Sequence, residues 1–125
     1  MLKDSKIIAL VPVTDAARAK AFYSDKLGLK FVSQDPFAIV FDANGIMLRL
    51  TTVKEFIPQT FSILSWEVPD IEAEVRQLTT AGVTFERYGF FEQDELGIWT
   101  APDGTKVAWF LDPDRNNLGI VQHAR

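Results

Sequence analysis

Five side chains of this sequence have the chemistry to bind or transform a small molecule: Arg49, Glu67, Trp99, Trp109 and His123. The guanidinium of an arginine is a fork of donors that matches a carboxylate or a phosphate. A glutamate inside a cavity serves as a general base when burial raises its pKa. Tryptophan supplies the apolar wall that most ligand pockets have. The pattern therefore indicates a small-molecule site, with Arg49 as an anion fork and Glu67 as a candidate base.

Each of these residues also has a structural interpretation. Arg49 could be a solvated strand residue or the ion-pair partner of Glu67. His123 is the only histidine, and a solvated residue at the end of a strand is the simpler interpretation of it. Trp99 could cap the mouth of a pocket, and Trp109 could line it. The sequence contains no glycine-rich phosphate loop, nucleophile elbow or Ser–His–Asp arrangement.

Composition narrows the class of protein. The 125 residues, 47% hydrophobic and 24% charged, are typical of one globular domain with a real core. The net charge of −4, with no basic patch, argues against nucleic acid as a partner. The apolar runs are too short to cross a bilayer, the N-terminus lacks a signal-peptide layout, and no cysteine is available for disulfides or thiolate metal sites. We expect a soluble, cytoplasmic protein without a membrane or nucleic-acid partner.

A strand–helix–strands pattern occurs twice, about 55 residues apart. Apolar runs at 7–13 and 63–68 predict strands, and each is followed by an aspartate that can cap a helix, Asp15 or Asp70. The first predicted helix covers 16–27, and the second begins at Ile71. Each helix ends before a glycine suited to a left-handed cap, Gly28 or Gly82.

Further strands are predicted after each helix. In the first half they cover 29–32, 37–41 and 46–52, with an Asn-Gly hairpin at 44–45. In the second half they cover 83–86, 96–100, 106–111 and 118–122, with 89–105 as an inserted segment. The modules thus span about 5–53 and 62–123 of a single domain, with a linker at 54–61. A ferredoxin-like α+β sandwich is the alternative, and the longer run of strands after each helix disfavours it.

Motifs in both halves carry a family resemblance. They lie at 13–15 (Val-Thr-Asp), 21–29 (Ala-Phe-Tyr-Ser-Asp-Lys-Leu-Gly-Leu), 67–71 (Glu-Val-Pro-Asp-Ile) and 110–116 (Phe-Leu-Asp-Pro-Asp-Arg-Asn). In this order and at this spacing they resemble the vicinal oxygen chelate superfamily, which includes glyoxalase I, bleomycin-resistance proteins and extradiol dioxygenases. The last motif resembles the family's DPDGN turn, with Arg115 in place of the glycine. An asparagine at 116 can still adopt a left-handed conformation there.

The resemblance implies an α+β fold of tandem βαβββ modules, whose eight strands form a curved mixed sheet around a cup. Enzymes of this family hold a divalent metal with His and Glu side chains at four strand positions. The equivalent positions in this sequence are Ile8, Arg49, Ile63 and Gly119. None of them offers a lone pair to a cation, and His123 lies two residues beyond its module's ligand position. We therefore predict no metal and no cofactor, and a resemblance to a metal-free member.

The expected function is binding of a small organic molecule, aromatic or amphipathic, in an apolar cup. Members of the family often dimerise, and apolar clusters at 90–91 and at Phe56, Ile57 and Phe61 could form a subunit contact, so we expect a homodimer. The alternative is a lyase, isomerase or dioxygenase of the same superfamily. Such an enzyme would use Glu67, Arg49 or His123 without metal, or would hold a metal through ligands mis-aligned here. The sequence leaves open whether the protein is an enzyme.

Overall fold

A computed structural model describes all residues, 1–125. The chain divides into two compact units, 1–57 and 58–125, and the division falls inside the predicted linker. Each unit has the order strand, helix, then three strands, in agreement with the predicted tandem βαβββ modules. Neither helix is long and apolar enough to span a bilayer.

The first unit contains one four-stranded mixed sheet. Its elements are β1 (Ile8–Val13), α1 (Ala16–Ala21), β2 (Lys30–Gln34), β3 (Ala38–Ala43) and β4 (Ile46–Thr52), after a short 3-10 turn at Leu2–Asp4. The strand order is β1-β4-β3-β2. Strands β1 and β4 are parallel and the other pairs are antiparallel, as expected when a helix separates the first strand from a β-meander.

The predicted first helix is confirmed, but it changes pitch. The Asp15 carboxylate accepts the backbone N–H of Arg18 at 3.1 Å and caps its start. After Ala21 the chain continues as a π-helical turn, Phe22–Lys26, and leaves it through Gly28 with φ of 73°. The wider turn carries both Phe22 and Tyr23 into the core, where the Tyr23 ring lies 6.1 Å from that of Phe41.

Alternation along the strands separates the two faces of this sheet. The buried side chains on the helix side are Val11, Val13, Ile39, Phe41, Leu48 and Leu50. Each contributes roughly 1.5–3 kcal/mol through burial. The Asn-Gly hairpin is also confirmed, because Asn44 and Gly45 have φ of 53° and 89°, as a type I′ turn requires.

The second unit repeats the plan with β5 (Leu64–Glu67), α2 (Ile71–Thr80), β6 (Trp99–Thr100), β7 (Lys106–Leu111) and β8 (Asn117–Gln122). Its strand order, β5-β8-β7-β6, matches that of the first sheet. The Asp70 carboxylate accepts the N–H of Ala73 at 3.2 Å and caps α2, as predicted. The helix-side core includes Ile71 and Val75 of α2 and Phe110 of β7, on which Trp66 stacks at 6.5 Å.

The predicted strand at 83–86 is wrong. Only Phe85 bridges β7, opposite Phe110, and the outer strand of the sheet is instead β6. Before Phe85, the Val83 N–H is bonded to the Leu78 carbonyl of α2 at 2.9 Å. After it, the Gln93 side chain donates to the Glu86 carbonyl at 3.0 Å and accepts the Tyr88 N–H at 2.7 Å. These backbone groups would otherwise extend a ladder along β7, so the chain leaves the sheet at this point.

Candidate ligand-binding face of the second unit

The side of the second sheet that faces away from its core, here called the open face, carries four of the five predicted site residues. Along β8, Leu118 and Ile120 point into the core, so their neighbours in sequence point the other way. In register across the strands, Trp109 lies opposite Gly119, and Glu67 lies opposite Val121. Trp99 lies opposite Val107, which is itself opposite Val121, so it belongs to the same face.

Five aromatic rings gather on this face. The aromatic cluster consists of Tyr88, Phe90, Phe91, Trp99 and Trp109. The ring of Phe91 stacks on Trp109 with centroids 5.0 Å apart and planes inclined by 10°, and it lies 4.8 Å from Trp99. Tyr88 meets Trp109 edge-on at 5.5 Å. Phe91 therefore belongs to an intramolecular cluster on the open face.

The inserted segment holds Phe91 in place through its polar residues. The Gln93 amide nitrogen donates to the carbonyls of Glu86 and Gly97, at 3.0 and 2.7 Å. The Arg87 guanidinium donates to the Asp94 carbonyl at 2.8 Å and to that of Glu95. Because these bonds close the base of the loop, its apolar tip is positioned without a strand or a helix.

Glu67 and His123 form a pair at one end of the open face. His123 Nδ1 lies 2.7 Å from Glu67 Oε2, although the two residues are 56 positions apart in sequence. The His123 side chain is 62% exposed and that of Glu67 is 70% exposed. They border a cavity of about 320 Å³ whose other lining residues are Val68, Pro69, Gln122, Ala124 and Arg125. Within the second unit, the partner of Glu67 is therefore His123.

A turn beside the pair holds the C-terminal segment. The backbone N–H and the hydroxyl of Thr105 both bond the Asp103 carboxylate, which lowers the pKa of Asp103, and the nearby His123 adds to this effect. The Thr105 hydroxyl oxygen in turn accepts the N–H of Ala124 at 3.3 Å. Residue 124 is thereby tied to the turn, and its neighbour His123 is held next to Glu67.

Gly119 lies in the middle of the open face, at a position with little room for a side chain. A Cβ at this position would lie 3.2 Å from the Ser65 hydroxyl oxygen and 3.3 Å from the Ala108 carbonyl oxygen. The Ser65 hydroxyl also hydrogen-bonds that of Ser62, at 3.2 Å. Glycine thus leaves a small polar patch in line with Trp109.

The other end of the face holds a buried amide. Asn117 is only 4% exposed, and its Nδ2 donates to the Tyr88 hydroxyl at 2.8 Å. Its Oδ1 is buried without a partner. Both residues border a second cavity, of about 330 Å³, which is also lined by Pro58, Gln59, Thr60, Glu86, Leu111 and Arg115.

Arg49, the fifth predicted residue, belongs to the first unit. It lies on β4 opposite Leu10, on the side of the first sheet away from the buried residues, and it is half-buried. Its guanidinium makes no ion pair. The pKa of the Asp35 carboxyl is lowered mainly by hydrogen bonds from the backbone N–H groups of Phe37 and Ala38. The positive charge of Arg49 lowers it further, to a smaller extent.

The residues at the family's metal positions do not fit a metal. Those positions read Ile8, Arg49, Ile63 and Gly119. The strand register also does not place these residues opposite one another, because Ile8 pairs with Met47, Arg49 with Leu10 and Gly119 with Ser65. Nowhere in the chain do three His, Asp or Glu side chains converge on a point that a metal ion could occupy. Aliphatic carbons, a hydrogen atom and a guanidinium supply no lone pair to a metal ion.

Three residues of this face escaped prediction as site residues: Tyr88, Phe91 and Asn117. Phe91 lies in the inserted segment and Tyr88 directly before it, and the course of the chain there depends on hydrogen bonds from Gln93 rather than on a periodic pattern. Asn117 is the first residue of β8. Its position on the open face could be predicted only from its alternation with the buried Leu118. In the turn before Asn117, the residue with the left-handed conformation is Arg115, with φ of 68°, and not Asn116.

A family model described as the Glyoxalase/Bleomycin resistance protein/Dioxygenase superfamily matches residues 7–120. A search of curated proteins gave no match.

Solved structures of similar fold include a bleomycin resistance determinant encoded on the transposon Tn5, with 21% identity and a TM-score of 0.75 over 97% of this chain and 99% of that one. A bleomycin-binding protein complexed with bleomycin has 21% identity and a TM-score of 0.74 over 96% and 99% of the two chains. A superfamily member from Sphaerobacter thermophilus has 23% identity and a TM-score of 0.74 over 98% and 100%.

At these identities the solved structures establish the fold alone, and they confirm the predicted glyoxalase/bleomycin-resistance architecture. The family model adds a sequence match that spans both modules. On these grounds the chain belongs to the glyoxalase/bleomycin resistance protein/dioxygenase superfamily.

Proposed function

We propose that this protein binds a small aromatic molecule on the open face of its second unit, without the metal that enzymes of the family use. The aromatic cluster is the observation that carries the proposal. Trp99, Trp109 and Phe91 are only half-buried, and they lie within 4.8–6.2 Å of one another. Rings arranged in this way offer an apolar surface on which a planar ligand can stack.

Polar groups at both ends of the face would orient such a ligand. Glu67 and His123 stand at one end, and Tyr88 and Asn117 stand at the other. An apolar surface with a few convergent polar groups is the usual composition of a small-molecule site. A bleomycin-binding protein of the same fold has been solved with bleomycin bound, so bleomycin is a natural first probe here as well.

The proposal includes a homodimer in the cytoplasm. On the first sheet, Ile8, Leu10 and Met47 are 52%, 64% and 44% exposed on the side away from the core. Three neighbouring apolar side chains on one sheet face are the kind of surface that a second copy covers. Sedimentation equilibrium at micromolar concentration should give twice the mass of the chain. A monomer at every concentration would contradict this part of the proposal.

Tryptophan fluorescence tests the binding proposal. In Trp66→Phe, the tryptophan that stacks on Phe110 is removed, and Trp99 and Trp109 remain as reporters of the open face. Titration with bleomycin and with a panel of aromatic compounds should give saturable quenching. Trp109→Leu should abolish binding while the circular dichroism spectrum stays unchanged. No saturable signal from any compound, or unchanged binding in Trp109→Leu, would contradict the proposal.

An enzyme is the second candidate, and the short contact between Glu67 and His123 favours it. When a carboxylate accepts the Nδ1 proton of a histidine, it leaves a lone pair on Nε2 and fixes the orientation of the ring. His123 is then the general base, and Glu67 is the residue that positions it, whereas the sequence pointed to Glu67 as the candidate base. The chemistry available to such a pair is removal of a proton next to a carbonyl group, as in an isomerase.

Deuterium exchange tests this second function. A panel of 2-oxo acids in deuterated buffer should lose the NMR signal of protons next to the carbonyl faster with the protein than without it. His123→Gln should abolish the exchange, and Glu67→Gln should slow it with folding intact. Exchange at the buffer rate, or at an unchanged rate in both variants, would eliminate the enzyme.

A further inference from the structure

Arg115 occupies a backbone conformation that suits glycine. Its φ is 68°, in the left-handed region. The buried Asp112 carboxylate imposes this geometry, since one of its oxygens accepts the N–H groups of Asp114 and Asn116, each at 2.9 Å. Glycine adopts this conformation freely, whereas a residue with a Cβ is strained in it. Strain held at a single residue points to a use for its side chain.

The Arg115 side chain borders the cavity of about 330 Å³ at the Asn117 end of the open face. Glu86 borders the same cavity from the segment that follows α2. Neither the guanidinium of Arg115 nor the carboxylate of Glu86 makes an ion pair, with each other or with any third group. The cavity is thus lined by one cation and one anion, both available to a ligand.

The buried amide of Asn117 gives a third, independent observation. Its Nδ2 donates to the Tyr88 hydroxyl, and its Oδ1 has no partner. Turning the amide over would only move the unpaired atom from oxygen to nitrogen, because Tyr88 is the single neighbour available. The phenolic oxygen already accepts a hydrogen bond, so its own proton is free to be donated. A buried polar atom without a partner is uncommon and needs an explanation, and a ligand in the adjoining cavity would supply the missing partner.

We propose that this cavity binds a small zwitterion, a molecule that carries both a carboxylate and an amine. The carboxylate lies against Arg115 and the Tyr88 hydroxyl, and the amine lies against Glu86. The rest of the ligand packs on Leu111 and toward the aromatic cluster, which Tyr88 joins through its contact with Trp109. This assignment rests on the proposed function of the open face and adds the class of ligand to it.

Four matched probes separate the contributions of the charges: phenylalanine, 3-phenylpropionate, 2-phenylethylamine and the neutral 2-phenylethanol. Binding is measured by calorimetry and by the fluorescence of the open-face tryptophans. Phenylalanine should bind most tightly. Arg115→Gly should weaken phenylalanine and 3-phenylpropionate by about 10-fold or more, the loss expected for a hydrogen bond to a charged group, and leave the amine unchanged.

Glu86→Gln should weaken phenylalanine and 2-phenylethylamine and leave 3-phenylpropionate unchanged. The control is Arg76→Ala, because Arg76 is an exposed arginine of α2 that does not line the cavity, and it should change no affinity. Phenylalanine that binds no tighter than 2-phenylethanol, or equally well to Arg115→Gly, overturns the zwitterion while the aromatic site stands. If none of the four probes binds and the wider aromatic panel also fails, both proposals fall.

Discussion

Replacing Arg115 with glycine should stabilise the protein while it removes a ligand contact. The residue holds φ at 68°, and the bonds from Asp112 to the N–H groups of residues 114 and 116 keep the turn in this shape. A left-handed conformation costs a residue with a Cβ roughly 1–2 kcal/mol. Glycine avoids that cost but loses about 0.4–1 kcal/mol through the greater entropy of its unfolded chain. The difference is a net gain of roughly 0–1.6 kcal/mol, with a centre near 0.8 kcal/mol, or a few degrees in Tm.

Arg115→Ala is the matched control, because it removes the guanidinium and retains the Cβ. Urea denaturation of the three proteins, followed by circular dichroism, gives the free energies of unfolding. Arg115→Gly should exceed Arg115→Ala by about 1 kcal/mol, since only the glycine relieves the strain. If the two variants are equally stable, the turn is not strained. The case for a functional role of Arg115 would then lose its first support.

Three further perturbations follow from the contacts of the second unit. Gly119→Ala should destabilise by about 1–3 kcal/mol in urea denaturation, because the new Cβ would lie 3.3 Å from the Ala108 carbonyl oxygen, a backbone atom of β7 that would have to shift; a neutral effect would show that the sheet yields. Gln93→Ala removes three hydrogen bonds of the inserted segment, so amide exchange at 86–97 should speed up and aromatic ligands should bind more weakly; unchanged exchange would contradict this. The pKa of Asp103 is lowered in the folded state by Thr105, so its stabilising effect is present above the unfolded value of 3.8 and lost as pH falls through the lower folded pKa. Asp103→Asn should therefore flatten the loss of stability below about pH 4 in acid titrations, and an unaltered acid profile would disprove the linkage.

Features that depend on neighbours in sequence were predictable. The caps at Asp15 and Asp70, the Asn-Gly hairpin and the alternation of buried residues each act within a few positions of the chain. Because both halves carry these signals in the same order, the two βαβββ modules followed without a structure. The lack of metal ligands at the family's four positions was equally predictable, since the chemistry of an isoleucine or a glycine does not depend on the fold.

The site itself was decided by contacts between distant residues. Glu67 meets His123 because β5 and β8 are parallel neighbours, and neither residue carries a local signal of the other. The strand predicted at 83–86 is wrong because its first residue is bonded to the Leu78 carbonyl of α2, and because the Gln93 side chain bonds the backbone groups that would continue the pairing after Phe85.

The sequence by itself therefore determined the repeated scaffold, the family and the lack of metal-ligand chemistry at the expected positions. Only the tertiary structure decided that Phe91 stacks on Trp109 and that Arg115 is strained beside a cavity. Local propensities act over a few residues and leave a readable pattern. A ligand-binding face arises from strand register and loop closure, which join segments that the chain itself keeps far apart.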